Sequence, residues 1–116
     1  MLALALDVTS PTAVRETVRK AVETFGPVDV LVNSAGYRSV GSIEDIPEEE
    51  FRRNVEINFF GAVNTARAVL PVMRPRRAGH IVNVSSIGGR RSARSAHARG
   101  LWRDGRQVRT HLQPEP

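Results

Sequence analysis

Two short apolar runs, at residues 28–32 and 80–84, constrain the fold of this 116-residue chain more than any other feature. The first run is nearly continuous and rich in Val, and the second contains one Ile and two Val. This pattern is typical of strands that are covered on both faces, as in a parallel sheet. The rest of the sequence is therefore interpreted as the helices and turns that connect and cover such a sheet.

The segment before the first run predicts a strand and then a helix. Residues 2–6 are interpreted as a short strand that ends at Asp7. Ser10 suits a helix N-cap, and Pro11 is tolerated at the first helical position. Apolar residues follow at helical spacing: Val14, Val18, Ala21, Val22 and Phe25. Gly26 and the proline after it are expected to end this helix.

A long helix is predicted between the two runs. It begins at Pro47 and residues 48–50, whose three Glu favour the positive end of a helix dipole. Its expected apolar face consists of Phe51, Val55, Phe59, Val63 and Leu70, and Pro71 with the later Pro75 and Gly79 is expected to end it. Asn58 lies on that face, where an unpaired amide costs about 1–3 kcal/mol. We therefore expect Asn58 to have a partner, either a water or a backbone group.

The predicted order is strand, helix, strand, long helix, strand, which indicates an α/β fold with a parallel sheet. In open sheets of this kind, ligands bind beyond the carboxyl ends of the strands. Both strong strands end in small polar residues, at 33–36 and at 85–86. The sequence therefore predicts that these two segments lie side by side and face the same crevice.

The charge divides the chain into two parts. Residues 1–89 carry equal numbers of acidic and basic side chains, whereas residues 90–116 contain seven Arg and only two acids, which accounts for the net charge of +5. We expect residues 1–89 to form the folded domain and residues 90–116 to be a disordered tail. Cys is absent, so we expect neither disulfides nor thiolate metal sites, and no metal site is predicted. No apolar run has the length of a membrane span, and the apolar N-terminus is too short for a signal segment and lacks a basic region before it, so we expect a cytoplasmic protein.

Four segments resemble those of short-chain dehydrogenases/reductases, in family order over about residues 2–89. Residues 33–36, Asn-Ser-Ala-Gly, are similar to the Asn-Asn-Ala-Gly motif, with Ser in the second place. Residues 6–9 resemble the segment that ends the third strand and meets the adenine ring. Residues 55–61 resemble the helix with the active-site Asn, and residues 79–86 resemble the strand that delivers the catalytic Ser.

The resemblance implies a partial Rossmann-like fold, doubly wound, with three strands and two to three helices. It implies an oxidoreductase that transfers a hydride between NAD or NADP and an alcohol or carbonyl substrate. Ser86 would hydrogen-bond the substrate oxygen, and Asn58 would hold a water. The residues expected to bind the cofactor are Asp7, Val8, Asn33, Ala35 and Gly36.

Three departures from the family pattern lead us to expect that the chain as written cannot run the full reaction. The Gly-rich turn that precedes the family's first helix, the Tyr-x-x-x-Lys pair after the catalytic Ser, and the last strands are all missing. The single Tyr is Tyr37 and the single Lys is Lys20, and both precede Ser86. The Arg-rich composition that begins near residue 90 is what a reading-frame shift in GC-rich DNA would produce. We also expect a marginal fold with unpaired strand edges.

Other interpretations stay open. The chain can be a non-catalytic fragment that associates with an intact relative, or with itself, through helix 51–70. The Arg-rich tail can bind nucleic acid through phosphates, but it offers one aromatic side chain and no recognised motif, so we do not expect this. Asp7 can be an acid that flanks a helix, Asn58 a structural amide, and residues 33–36 and 85–86 ordinary turns. Tyr37 is interpreted as incidental.

Overall fold

The computed structural model describes residues 1–86, so the predicted tail at 90–116 lies outside the described residues. The elements, in chain order, are helix α1 (Pro11–Phe25), strand β1 (Val30–Asn33), helix α2 (Glu48–Val55), a π-helical turn (Glu56–Phe60), helix α3 (Gly61–Met73) and strand β2 (His80–Asn83). No helix in residues 1–86 has both the length and the apolar character that crossing a bilayer requires.

Helix α1 begins and ends where the sequence predicts. The Ser10 hydroxyl accepts a hydrogen bond from the Ala13 N–H at 3.3 Å, which satisfies one of the free donors of the first turn. Pro11 occupies the first helical position, where its missing N–H costs nothing. Gly26 has a φ of +84°, which favours glycine, and its N–H donates to the Val22 carbonyl at 2.9 Å.

The two strong strands pair in parallel, as predicted. Val30 faces His80, and the register runs to Asn33 opposite Asn83. The ladder extends one bond further at each end, from the His80 N–H to the Asp29 carbonyl and from the Val84 N–H to the Asn33 carbonyl, both at 2.9 Å. The carboxyl ends of the two strands therefore lie at the same edge of the sheet.

The predicted third strand, at residues 2–6, is wrong. In the described residues the sheet has two strands, and residues 2–6 have no regular secondary structure. A strand is stabilised by ladder hydrogen bonds to a neighbour, and neither β1 nor β2 pairs with this segment. The α/β class and the parallel sheet are confirmed.

The expectation that both faces of the sheet are covered is also wrong. Burial alternates along β1, and every residue of β2 is exposed. Val30, Val32 and Val82 present apolar side chains to solvent. Helix α3 packs against β1, but the described residues do not bury the strand side chains on both sides.

The long helix is interrupted by a π-helical turn, which the sequence did not predict. The Gly61 N–H donates to the Glu56 carbonyl, five residues earlier, so one extra residue is inserted into the helix. One residue of an α-helix is a rotation of about 100°. The predicted apolar face is wrong on both sides of the turn: Phe51, Val55 and Phe59 are exposed. Beyond the turn, the buried positions of α3 are Gly61, Thr65, Val69 and Met73, four residues apart.

The core lies between α1 and α3. Val14 of α1 and Val69 of α3 are fully buried, and Met73 is nearly so. Pro71 was predicted to end the helix but lies inside it, and α3 continues to Met73. A proline inside a helix removes one backbone hydrogen bond. Helix α3 is maintained despite this loss.

Gly61 allows the N-terminal segment to reach α3. A Cβ on Gly61 would lie 2.6 Å from Val8 Cγ2, closer than carbon atoms approach. The Asn64 side-chain amide donates to the Val8 carbonyl at 3.0 Å. Val8 is thus held by the helix, through one side-chain hydrogen bond and one close apolar contact, and not by a strand ladder.

Gly61→Ala is expected to destabilise the protein by about 1–3 kcal/mol, because the new methyl group overlaps Val8. In a Val8→Ala background the same change should be clearly less destabilising, because the 2.6 Å overlap with Cγ2 is removed and the 3.2 Å contact with the Cβ of residue 8 remains. The preference of a helix for Ala over Gly, up to about 1 kcal/mol, also acts in its favour. Urea unfolding of the four proteins of this cycle measures the coupling. Equal effects of Gly61→Ala in both backgrounds would show that the contact with Val8 is not the reason for the glycine.

Candidate functional site

The carboxyl ends of β1 and β2 are joined by a chain of polar side chains. The Asn33 Nδ2 donates to Asn83 Oδ1 at 2.8 Å, across the strand pair. The Thr65 hydroxyl, from α3, donates to Asn33 Oδ1 at 2.6 Å. One amide therefore joins the two strands to the helix at the edge where the sequence predicted a crevice.

Thr65 is the one buried polar residue among the described residues, with 7% of its surface exposed. Its hydroxyl also lies 3.1 Å from the Gly61 carbonyl and 3.0 Å from the Ala62 carbonyl. A hydroxyl has one proton to donate. The contact with Asn33 is the shortest of the three, and it is the one that links different elements.

A second polar group holds the chain that follows β1. Asn58 Oδ1 accepts the Tyr37 N–H at 2.7 Å, and Asn58 Nδ2 donates to the Tyr37 carbonyl, also at 2.7 Å. The side-chain amide thus satisfies both backbone groups of one residue. The expectation that Asn58 has a partner is confirmed: it bonds the backbone of Tyr37 and also the side chain of Asn54. The expectation that it lies on a buried face is wrong, because Asn58 is exposed.

Gly36 lies directly beside Asn58. A Cβ on Gly36 would be 3.3 Å from Asn58 Oδ1, which is tighter than an ordinary contact. Ala35 and Gly36 are both exposed and have the smallest side chains available. The backbone after β1 can therefore be approached closely by a ligand, while Asn58 supports it from the helix side.

Asp7 forms a local turn with Thr9. Asp7 Oδ1 accepts the Thr9 hydroxyl at 2.7 Å and the Thr9 N–H at 2.9 Å. These two hydrogen bonds, the hydroxyl first, hold the pKa of Asp7 below its ordinary value of 3.8. A lowered folded pKa stabilises the protein at pH values above the unfolded pKa, and this contribution is lost as the pH falls through the folded pKa. Asp7 is therefore a carboxylate at neutral pH.

Ser86 follows β2 at the same edge of the sheet. Parallel pairing brings Asn33 opposite Asn83, so the chain after each strand leaves from the same side. The structure thus groups residues 33–36, Asn58 and the segment leading to Ser86 around the carboxyl ends. Val8, the neighbour of Asp7 in the chain, reaches the same helix one turn away, at Gly61 and Asn64.

Comparisons of the sequence and of the structure with known proteins lead to the same family. The profile of the family described as short chain dehydrogenase matches residues 1–98. The chain belongs to the short-chain dehydrogenase family. It is 43% identical over 101 residues to the oxidoreductase BOA17 of Botryotinia fuckeliana, an alignment that covers 85% of this chain and 37% of that protein.

Two solved structures share the fold of this chain over most of its length. A short-chain dehydrogenase from Streptomyces avermitilis is 42% identical with a TM-score of 0.72, over 78% of this chain and 33% of the other. ElxO with NADP bound is 36% identical with a TM-score of 0.71, over 76% of this chain and 36% of the other. The chain therefore spans about a third of the length of the relatives it matches.

Sequence reasoning missed the side chains that hold the family's motif in place. They are Asn54, Asn64, Thr65 and Asn83. Two signals were available. Asn54 and Asn58 are four residues apart, which places them next to each other on a helix. Thr65 is a polar residue at the spacing of four that the buried positions of α3 share.

Thr65→Val should destabilise the protein by about 1–3 kcal/mol, because it keeps the shape of the side chain but leaves Asn33 Oδ1 without its donor. Thr24→Val is the matched control, since the exposed Thr24 hydroxyl donates only to the Lys20 carbonyl of its own helix. Its effect should be within about 0.5 kcal/mol. Urea unfolding followed by circular dichroism measures both, and a Thr65→Val protein as stable as the control contradicts the role of the polar chain.

Proposed function

We propose that this chain supplies part of the NAD(P)- and substrate-binding crevice of an oxidoreductase that transfers a hydride between NAD(P) and an alcohol or carbonyl compound. The observation that carries the proposal is the parallel register of β1 and β2. With Asn33 opposite Asn83, residues 34–36 and residues 85–86 leave the same edge of the sheet. The NADP bound in ElxO and the name of BOA17 support the same chemistry.

The residues proposed to bind the cofactor suit its chemical groups. Asp7 is ionised at neutral pH, and its second carboxylate oxygen can accept a hydrogen bond from the adenine amino group. Val8 is held next to it by Asn64. Asn33, Ala35 and Gly36 would line the path of the cofactor with small side chains. NAD(P), when bound, donates or accepts the hydride.

Ser86 and Asn58 are the residues proposed for the reacting end of the crevice. The Ser86 hydroxyl would hydrogen-bond the substrate oxygen and orient it. Asn58 fixes the backbone of Tyr37 with two hydrogen bonds of 2.7 Å. Its Oδ1 can accept one more hydrogen bond, from a water, since an amide oxygen has two lone pairs.

We further propose that this chain does not complete the reaction by itself. Hydride transfer to a carbonyl needs a proton donor near the substrate oxygen, and in the family this is a Tyr assisted by a Lys. Residues 87–116 contain neither Tyr nor Lys. Loss of a general acid alone costs about 10²–10⁴ in rate.

Titration of the chain with NADP is expected to shift the backbone NMR signals of Asp7, Val8 and residues 33–36, at millimolar concentrations of cofactor. NADPH with a carbonyl compound should show no turnover, measured as loss of NADPH absorbance. Ala35→Leu should weaken the shifts at residues 33–36, because the larger side chain fills the path of the cofactor.

Val40→Leu is the matched control for this titration, since Val40 is exposed in the loop beyond the candidate site and tolerates a larger apolar group. Signal shifts that are confined to other parts of the chain, or equal binding by the Ala35→Leu and control proteins, would rule out the proposed crevice. Turnover of NADPH would contradict the proposal that the chain is catalytically incompetent.

A second proposed function is association, with another copy of the chain or with an intact relative, through the outer face of α2 and the π-turn. Phe51, Phe59 and Phe60 are 50%, 60% and 45% exposed on this part of the helix, next to Val55. The Phe59 and Phe60 rings contact each other edge to face at 5.1 Å. A cluster of exposed aromatic side chains is typical of an interface.

Sedimentation of the chain is expected to show a dimer that Phe60→Asp converts to a monomer, because a carboxylate cannot be buried unpaired in an apolar interface. Phe25→Asp is the control, since Phe25 is 64% exposed at the end of α1. A monomeric parent chain that also fails to bind a full-length relative would exclude this function.

A further inference from the structure

We propose that Asn54 is a positioning residue that fixes the side-chain amide of Asn58. The inference rests on the proposed function, in which Asn58 supports the reacting end of the crevice. Asn54 is in α2, four residues before Asn58, and it is half-buried while Asn58 is exposed. Asn54 hydrogen-bonds Tyr37, Ser39 and Asn58, so its effect on the candidate site passes through Asn58.

Asn54 and Asn58 share one hydrogen-bond network around the backbone of Tyr37. Asn58 Nδ2 donates to Asn54 Oδ1 at 2.7 Å as well as to the Tyr37 carbonyl. Asn54 Nδ2 in turn donates to the same carbonyl at 3.2 Å and to the Ser39 hydroxyl at 3.0 Å. Both protons of each side-chain amide are therefore used, and the Tyr37 carbonyl accepts two hydrogen bonds, its full capacity.

The donors and acceptors of this network permit one orientation of the Asn58 amide. If the amide were rotated by half a turn, its NH₂ group would face the Tyr37 N–H, donor against donor. Its oxygen would then face the Tyr37 carbonyl and Asn54 Oδ1, acceptor against acceptor. Two of these hydrogen bonds join Asn58 to Tyr37, and they would not prevent the two residues from moving together. The third joins Asn58 to Asn54 Oδ1, in the helix, and it opposes such a movement.

The orientation of Asn54 is fixed independently. Its Nδ2 is held by Ser39 and by the Tyr37 carbonyl, which leaves its Oδ1 directed at Asn58. The loop that carries Tyr37 and Ser39 is further held by the Arg53 guanidinium, whose Cζ lies 5.2 Å from the centre of the Tyr37 ring. Asn54 therefore transmits the position of this loop to the amide of Asn58.

The test is NMR of the side-chain amide protons of Asn58 in the chain without cofactor. In the parent chain both protons should be protected from exchange with water. In Asn54→Ala the proton that faces residue 54 should exchange roughly five-fold faster, the equivalent of losing a hydrogen bond of about 1 kcal/mol. The other proton and the Tyr37 N–H should keep their protection, which also shows that the variant is folded.

Two further variants separate positioning from a general effect on the fold. Asn54→Asp keeps an acceptor oxygen for Asn58 but loses the donor to the Tyr37 carbonyl, so it should restore part of the protection of the proton that faces residue 54. Asn64→Ala removes a different amide of the same helical segment, one that donates to Val8, and it should leave both Asn58 protons unchanged. If Asn54→Ala does not fold, Asn54→Leu, which is also a good helix former without an acceptor, gives the result with the same measurement.

The inference is overturned if both Asn58 protons exchange in Asn54→Ala, or in Asn54→Leu, as slowly as in the parent chain. It is also overturned if Asn54→Asp behaves like Asn54→Ala. Because no cofactor is added, a chain that fails to bind NADP leaves this result intact. If the parent chain binds NADP but the Asn58 amide protons exchange equally fast in the parent chain and in Asn54→Ala, the role of Asn54 is overturned and the proposed function stands.

Discussion

The candidate site depends on side-chain hydrogen bonds from one helical segment to three separate pieces of chain. Asn58 holds Tyr37, Asn64 holds Val8, and Thr65 holds Asn33. All three donors or acceptors lie within residues 58–65. Asn54, one helical turn earlier, adds two hydrogen bonds to the turn after β1. The helix is therefore the frame on which the family's motifs are arranged.

This mode of attachment explains how an ordered site coexists with a small core. Val14, Val69 and Met73 are the buried apolar residues of the described part of the chain, while the valines of the sheet are exposed. Apolar burial of this extent stabilises a domain weakly. By contrast, a hydrogen bond between a side-chain amide and a backbone group fixes the two groups that it joins and does not require a large core around them. The geometry around Asn58 is thus less dependent on the rest of the fold than a packed apolar site would be.

The sequence predicted the parts of the fold that depend on local patterns. Helix α1, with Ser10 and Gly26 at its ends, and the parallel strands β1 and β2 follow from capping residues and apolar runs. The sequence-based predictions were wrong where the structure of a segment depends on a neighbouring segment. Residues 2–6 have a suitable composition for a strand, but a strand needs a neighbour, and no single-segment pattern shows whether one is present. The contacts of Asn83 and Thr65 join residues far apart in sequence, so a spacing pattern can mark Thr65 as a buried position but cannot identify the partner of either residue.

The π-turn at Glu56–Phe60 links the error in the predicted helix face to the chemistry of the site. An apolar pattern read at 3.6 residues per turn assumes an unbroken helix, and one inserted residue rotates everything after it. The insertion lets two demands be met by one helix: Asn58 reaches the backbone of Tyr37, and Gly61, Thr65 and Val69 still face Val8, Asn33 and the core. A regular α-helix would have to give up one of these sets of contacts. π-Turns are frequent at functional sites, and here the reason is geometric, because the polar and the apolar faces of the helix need different registers.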